Sequence, residues 1–204
     1  MKSNTAFLDL LFNLLLGFTM LFFISFMMIK PPVKEADAKN QAEFLISVTW
    51  PDENMDDVDT WLEDPLGGLV WFRQKEENMS HLDRDDMGSL NDTIELADGT
   101  IVACKRNQEL TTIRGFIPGE WVLNVHSYKR RQQEPTVVRI SIDKINPTLK
   151  ILFFKEITLK NQWQEETVTR FTMTARGEVM SFDSLPKELV RAEFRVPTGS
   201  GGVH

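Results

Sequence analysis

The sequence predicts a single N-terminal transmembrane helix followed by a mainly-β domain, an antiparallel β-sandwich. Two patterns predict this fold class: a long apolar run covers residues 6–29, and short alternating runs separated by turn residues follow from about Glu43. The chain has 204 residues and a formal net charge of −7. One membrane span followed by about 160 residues has the size of a single extramembrane domain.

The apolar run has the length and composition of a membrane span. Residues 6–29 as a helix rise roughly 36 Å, which exceeds the ~30 Å hydrocarbon core of a bilayer. The run contains no proline, and Pro31 and Pro32 end it sharply. It is longer than the core of a secretory signal and no small-residue cleavage site follows it, so we expect an uncleaved anchor. The predicted segments are a short tail (1–5), the helix (6–29), a linker (30–42), the β-sandwich (43–196) and a disordered tail (197–204).

One face of the predicted helix differs from the rest. At about 100° per residue, Asp9, Asn13, Gly17 and Met20 fall on one narrow stripe, whereas the phenylalanines lie mainly on the other side. Glycine permits close approach of a second backbone, and asparagine can hydrogen-bond across a helix interface. A helix surrounded by lipid alone has no need of this asymmetry, so we expect the stripe to pack against protein.

Asp9 is the only ionisable residue in the apolar run, and two interpretations of it are open. In the first, it lies at membrane depth and binds and releases an ion, because a charge there costs on the order of 3 kcal/mol and such residues are usually functional. In the second, residues 10–29 span the membrane alone. Asp9 is then an interfacial first-turn carboxylate that the helix dipole favours.

Residues 8–18, LDLLFNLLLGF, resemble the transmembrane signature of the ExbD/TolR/MotB family of single-helix subunits in proton- or sodium-driven motors. That family combines an early aspartate, a Leu- and Phe-rich run after it, a short N-terminal tail and a C-terminal extracytoplasmic domain. The resemblance implies that Asp9 is the ion-carrying residue. It also implies that Asn13, Gly17 and Met20 shape the helix contacts in the pore.

The same resemblance implies the assembly and its location. Two copies of the chain form a homodimer inside a ring of a multipass MotA/ExbB/TolQ-like protein, which is expected to be a pentamer. The complex lies in a bacterial inner membrane, with the N-terminus in the cytoplasm and the C-terminal domain in the periplasm. No cofactor is expected, and the transported species is H⁺ or Na⁺.

The sequence after Glu43 consists of short β-rich runs separated by turn residues. Many short strands with turns about every 8–12 residues predict an antiparallel sandwich or barrel. The predicted strands are residues 44–50, 58–63, 69–73, 110–113, 120–128, 136–142, 149–159, 167–174 and 178–182, and the one predicted helix is 186–191. Residues 57–65, DVDTWLEDP, with Gly67 and Val70-Trp71, resemble a pattern of bacterial Ig-like β-sandwich domains.

Two acidic stretches of the domain could bind a metal ion. Asp57 and Asp59 belong to the first, and Asp83 and Asp85 to the second. Calcium takes six to eight hard oxygen ligands, so clustered carboxylates have suitable chemistry, although neither stretch has the spacing of an EF-hand. The alternative is a pair of solvated acidic loops with Asx-turns.

Other classes of function find little support in the sequence. The acidic balance argues against a nucleic-acid partner, which needs a basic face. No nucleophile elbow accompanies His81 or His126, so we predict no enzyme and no catalytic residues. Cys104 is the only cysteine, which excludes an intrachain disulfide, and we expect it to be buried.

The sequence therefore favours a rotor- or stator-type B subunit of an ion-driven inner-membrane motor. Its periplasmic domain would transmit force or bind an envelope partner. The alternative function is a passive single-pass anchor that displays a β-sandwich binding module under the control of calcium. The two differ in whether Asp9 carries an ion and whether a multipass partner covers the stripe.

Overall fold

The computed structural model describes residues 3–28, 41–88 and 92–191, which belong to two compact units. The first unit contains one α-helix, α1 (Ser3–Met28), and the second is mainly β. Both parts of the predicted fold class are therefore confirmed. Only Gln41 and Ala42 of the predicted linker are described, and the predicted tail 197–204 lies outside the described residues.

The helix α1 is rich in leucine and methionine, which favour helix, and contains no proline and a single glycine, Gly17. The Thr19 hydroxyl donates a hydrogen bond to the Leu15 carbonyl at 2.7 Å, so this polar side chain is satisfied within the helix. The helix begins at Ser3, inside the segment predicted as a tail, because nothing in residues 3–5 breaks a helix. Asn4–Met27 is long and apolar enough to cross a membrane.

The described residues of the second unit form thirteen strands. They are β1 (Phe44–Thr49), β2 (Asp57–Glu63), β3 (Leu69–Val70), β4 (Glu76–Glu77), β5 (Ser80–Arg84), β6 (Thr93–Glu95), β7 (Ile101–Ala103), β8 (Gln108–Ile113), β9 (Gly119–Lys129), β10 (Thr136–Lys144), β11 (Lys150–Leu159), β12 (Glu165–Met173) and β13 (Val179–Asp183).

These strands form two antiparallel sheets and one separate hairpin. Sheet A has the order β11-β10-β1-β8-β5-β4, sheet B has the order β13-β12-β9-β2-β3, and β6 pairs with β7. Within sheet A, β1 lies between β8 and β10, so that Phe44 is opposite both Ile113 and Lys144. Within sheet B, β9 pairs with β2 on one side and with β12 on the other.

The two sheets pack face to face around one apolar core. Every second residue of β1 is buried, which is the pattern of a strand with one face directed inward. Phe44 and Ile46 enter the core from sheet A, and Trp121 and Leu123 enter it from sheet B. Truncating a core side chain of this size to alanine typically costs about 2–5 kcal/mol, so this core holds the sandwich together.

A second apolar cluster covers the outer face of sheet B. Trp61 of β2 stacks on Trp71, with ring centroids 4.5 Å apart and an angle of 21° between the ring planes. Leu189 and Val190 pack on this cluster together with Val122 of β9. They belong to residues 184–191, a segment after β13 without regular secondary structure, which we call the strap.

The helix predicted for residues 186–191 is wrong, because side chains of sheet B bind the backbone of the strap. Glu165 Oε1 accepts hydrogen bonds from the N–H groups of Leu189 at 2.6 Å and Val190 at 3.0 Å. Thr167 Oγ1 accepts a hydrogen bond from the Lys187 N–H at 2.9 Å. These bonds occupy donors that a helix would direct to its own carbonyl groups.

The strand predictions, in contrast, are confirmed, with ends shifted by a few residues. The run 69–73 is shortened to β3, since Trp71 makes only an isolated bridge to Gln74. The sequence missed β4, β5, β6 and β7, which are two to five residues long and too short to show a periodic pattern. Cys104 follows the hairpin of β6 and β7 and is half-buried, so the prediction that it is buried is wrong.

The attachment of the strap predicts a stability effect at Glu165. Glu165→Ala removes the acceptor for Leu189 N–H, Val190 N–H and the Asn124 side-chain amide, so we expect a loss of about 2–4 kcal/mol in unfolding free energy. Urea unfolding of the full chain in detergent, followed by tryptophan fluorescence, measures it. Glu166→Ala is the control, because within the described residues its exposed carboxylate accepts one hydrogen bond, from the Gln164 side chain. Equal losses in the two variants would contradict the role of Glu165.

Candidate functional site

The stripe on α1 is the first candidate for function. Asp9, Asn13, Gly17 and Met20 all lie within the regular helix, so they occupy one side of it within an arc of about 80°. The side chains of residues 4–27 are exposed in the single chain, the polar stripe included. The helix therefore presents a carboxylate and an amide on one side of an otherwise apolar surface.

A shallow groove accompanies the stripe. It has a volume of about 320 Å³ and is lined by Asn13, Leu14, Gly17, Phe18 and Leu21. A Cβ atom built on Gly17 would meet nothing within 4 Å, so the space beside this glycine is open in the single helix. A groove at a glycine is the kind of surface on which a second helix can pack closely.

Asp9 lies beyond the first turn of α1. The helix begins at Ser3, and its first turn contains no acidic residue. The favourable effect of the helix dipole falls off within that first turn, so it does not stabilise a carboxylate at Asp9. The carboxylate lies about 9 Å along the helix axis from Ser3.

The second candidate is a group of four carboxylates in the sandwich: Asp57, Asp59, Asp85 and Glu109, which we call the acidic cluster. Asp57 and Asp59 belong to β2, Glu109 belongs to β8, and Asp85 directly follows β5. One oxygen each from Asp59, Asp85 and Glu109 lies within 4.8 Å of the other two. Since β8 and β5 are neighbours in sheet A and β2 belongs to sheet B, the cluster connects the two sheets.

Glu109 faces the interior of the sandwich. It lies opposite the fully buried Val48 of β1 and is itself only 1% exposed. Its Oε2 accepts a hydrogen bond from the Thr60 N–H at 2.6 Å. Among the described strands, β3 pairs with β2 only at Leu62 and Glu63, so the edge of β2 at Thr60 has no neighbouring strand and Glu109 supplies the acceptor.

The other oxygen of Glu109 is left without a hydrogen-bond partner. Glu109 Oε1 is fully buried and accepts no hydrogen bond from the residues that the structure describes. Within the same described residues, the buried hydroxyls of Thr60 and Thr111 also have no partner. Buried polar atoms almost always have a hydrogen-bond partner, so these three unpartnered oxygens make this end of the sandwich exceptional.

Burial raises the pKa of three members of the acidic cluster. Burial first, and then the negative charge of Asp59, raises the pKa of Asp57 to about 7. Burial also raises the pKa of Asp59, although the hydrogen bond from His126 acts in the opposite direction. For Glu109, burial and then the charge of Asp59 raise the pKa well above its usual value. The cluster therefore favours either bound protons or a cation.

Neighbouring lysine, arginine and histidine side chains offset this charge only in part. Lys75 Nζ lies 2.9 Å from an oxygen of Asp85, but the lysine side chain is half-exposed. His126 Nδ1 lies 3.4 Å from Asp59 Oδ2, and the histidine is fully buried. Arg131 lowers the pKa of Asp57, although less than burial raises it.

Two neighbouring buried aspartates have a different, structural role. Asp56 Oδ1 accepts hydrogen bonds from the N–H groups of Arg131 at 2.6 Å and Gln132 at 3.0 Å. Asp86 accepts hydrogen bonds from the Arg84 guanidinium and the Gly88 N–H, both at 3.0 Å. These carboxylates are satisfied by the protein, and they hold the loops that border the acidic cluster.

The structure brings Asp57 and Asp59 of the first acidic stretch together with Asp85 of the second, which the sequence did not predict, and it places Asp83 elsewhere. Asp83 lies on the opposite side of β5 from the buried Leu82, and it binds His81 at 3.0 Å and Arg114 at 2.8 Å on the surface of sheet A. Asp85 follows the end of β5, past a register shift between Leu82 and Arg84, so the two aspartates do not share a face. The sequence analysis missed Glu109. Its alternation with Thr111 and Ile113, which share its face of β8, is the signal that could have found it.

The raised pKa of Asp57 predicts that the metal-free protein loses stability as the pH rises. Asp57 titrates near 3.8 when unfolded and about 7 when folded. Between these values the folded state binds more protons than the unfolded state, so its stability falls with rising pH. Asp57→Asn should reduce this fall by at most about 4 kcal/mol, and the raised pKa values of Asp59 and Glu109 account for the remainder.

Urea unfolding of the full chain at pH 5 and pH 8, in detergent and a chelating buffer, measures the slope for each variant. Asp83→Asn is the control, since the carboxylate of Asp83 is paired on the surface and lies outside the cluster. If the unfolding free energy of Asp57→Asn changed with pH as much as that of the wild-type protein, the raised pKa of Asp57 would be contradicted.

No protein-family model matches the chain, and no curated protein or solved structure is significantly similar to it. The likeness of residues 8–18 to the motor family therefore rests on those residues alone. What the chain does has to be inferred from its own helix and its own acidic cluster.

Proposed function

We propose that the chain is the ion-carrying B subunit of a proton- or sodium-driven membrane motor, with Asp9 as the carboxylate that binds and releases the ion. The observation that supports this proposal is the place of Asp9 in α1. It is a lone carboxylate beyond the first turn of a helix long enough to cross a membrane, on the same side as Asn13 and Gly17.

The length of α1 sets the depth of Asp9 in a bilayer. Asn4–Met27 has 24 residues, which rise about 36 Å, against a hydrocarbon core of about 30 Å. With equal overhang at both ends, the Asp9 backbone lies roughly 4–5 Å inside the hydrocarbon core. An ionised carboxylate at that depth is costly unless it faces protein or water, so the stripe calls for a protein partner.

A carboxylate in a protein-lined, partly hydrated path suits reversible ion binding. It can take up a proton or Na⁺ and release it when its solvation or a neighbouring charge changes. Asn13, one turn further along the same face, can hydrogen-bond to groups of a partner helix, and Gly17 allows the backbones to approach. Met20 continues the stripe with a flexible apolar side chain that can adapt to a moving surface.

The proposed assembly is a homodimer inside a ring of a multipass protein similar to MotA, ExbB or TolQ, with a pentamer expected for the ring. The groove at Gly17 is the surface for the partner helix, and the side chain of Asp9 faces the ring. We place the complex in a bacterial inner membrane, with the N-terminus in the cytoplasm and the sandwich in the periplasm. There the sandwich transmits force or binds a partner in the cell envelope.

A passive membrane anchor that displays the sandwich as a binding module is the second candidate. The acidic cluster favours it, because a group of carboxylates, of which Glu109 has a buried oxygen without a partner in the described residues, lies in the sandwich, where a motor of this type needs none. In this case Asp9 has no ion to carry and can be replaced without loss of function.

Substitution of Asp9 separates the two functions. Asp9→Asn keeps the size and hydrogen bonding of the side chain but removes the titratable group. For a motor subunit we expect a complete complex that has lost nearly all ion flux when reconstituted in liposomes. Asp9→Glu, which keeps a carboxylate, should retain part of the flux. Wild-type flux in Asp9→Asn would overturn the assignment of Asp9.

Substitution of Gly17 tests the assembly. Gly17→Leu fills the groove beside the stripe, so we expect loss of the dimer from the complex purified with its multipass partner. Native mass spectrometry of the detergent-solubilised complex counts the copies of each chain. Thr19→Leu introduces the same side chain on another side of the helix and should assemble normally. A stable wild-type monomer without a multipass partner would contradict the motor proposal itself.

A further inference from the structure

We infer that the acidic cluster is a binding site for a hard divalent cation, best suited to calcium, between Asp59, Asp85 and Glu109 at the open edge of β2. Asp57 lies beside these three ligands and adds negative charge. The site ties sheet B to sheet A. It does not depend on the motor proposal, since it lies in the sandwich and involves no residue of α1.

The distances fit one ion. Calcium binds oxygen at 2.3–2.6 Å, so two oxygens on the same ion lie no more than about 5 Å apart. The carboxylate oxygens of Asp59, Asp85 and Glu109 lie within 4.8 Å of one another. All three donors are hard oxygen ligands, which favour calcium, magnesium or manganese over metals that prefer sulfur or nitrogen.

A second observation, separate from the clustering, points to a ligand. Glu109 Oε1 is buried without a hydrogen-bond partner in the described part of the chain, while its Oε2 is fixed by the Thr60 N–H. That bond orients the carboxylate, and the unpartnered oxygen belongs to a residue that is 1% exposed. A buried carboxylate oxygen without a partner is costly, and a bound cation supplies the missing partner.

The balance of charge favours a divalent ion. The four carboxylates of the cluster face Lys75, His126 and Arg131, and of these only Lys75 lies within 3 Å of a cluster oxygen. Asp56 and Asp86 lie nearby, but their charges are already compensated by backbone N–H groups and by Arg130 and Arg84. Lys75 is half-exposed, so it can swing into solvent when a cation binds to Asp85.

Calcium fits the cluster better than magnesium. The ligands come from three separate segments, β2, β8 and the residue after β5, whose spacing the sheets determine. Calcium accepts irregular arrangements of six to eight oxygens, with water completing the shell. Magnesium demands near-ideal octahedral geometry at shorter distances and retains most of its water.

Thermal unfolding of the full chain in detergent, after treatment with chelator, tests the site. Millimolar calcium should raise the melting temperature by several degrees through mass action, and magnesium should raise it less. Terbium(III) provides a direct readout, since Trp61 lies two residues from Asp59 and can sensitise terbium luminescence. Added calcium should compete the terbium signal away.

Glu109→Gln is the decisive variant. The amide oxygen can still accept the Thr60 N–H, and the substitution removes one of the clustered negative charges. We therefore expect the metal-free melting temperature to stay equal or rise, while the calcium shift and the terbium signal are lost. Asp59→Asn should also abolish both signals. Asp83→Asn, which changes an acidic residue outside the cluster, is the matched control and should keep the calcium shift and the terbium signal.

Two results would overturn the site. The first is a wild-type protein whose melting temperature does not respond to millimolar calcium and which gives no terbium luminescence; the cluster then holds protons instead of a metal ion. The second is a calcium shift of wild-type size in Glu109→Gln, which would assign the binding to carboxylates elsewhere on the chain.

Discussion

The hydrogen bond from the Thr60 N–H to Glu109 Oε2 is the contact on which the acidic end of the sandwich depends. β2 extends beyond the short β3, so its backbone edge needs an acceptor from outside sheet B. β8 of sheet A provides that acceptor, and in doing so places a carboxylate inside the sandwich. The burial of this carboxylate, and then the negative charge of Asp59, raise the pKa of Glu109 well above its usual value.

Hydrogen bonds hold the residues that surround this contact, whereas Glu109 itself is not fully hydrogen-bonded within the described residues. Asp56 and Asp86 use their carboxylates to fix the chain around Arg131 and Gly88. Glu109 has one oxygen with no such partner within the described residues. A firmly held border around under-satisfied oxygens is the arrangement of a preorganised binding site, in which the supporting residues fix the geometry before a ligand arrives.

The sequence predicted features that depend on local pattern and failed where distant contacts decide. The strands β1 and β9 were predictable, because alternation of apolar residues reports which side is buried. The strap was predicted as a helix, because nothing in residues 186–191 reveals that Glu165 binds their backbone. Glu109 was missed although it alternates with the buried Ile113 along β8, because a single glutamate in a strand is usually on the surface; its pairing opposite Val48 shows that it faces inward.

The strap also sets the order in which the sandwich can be completed during synthesis. Leu189 and Val190 leave the ribosome after every strand of the sheet that they cover. Until they emerge, Trp61 and Trp71 remain open to water or to other proteins in the cell. The outer aromatic face of sheet B is thus uncovered on the nascent chain until the strap emerges, although it is well covered in the finished fold.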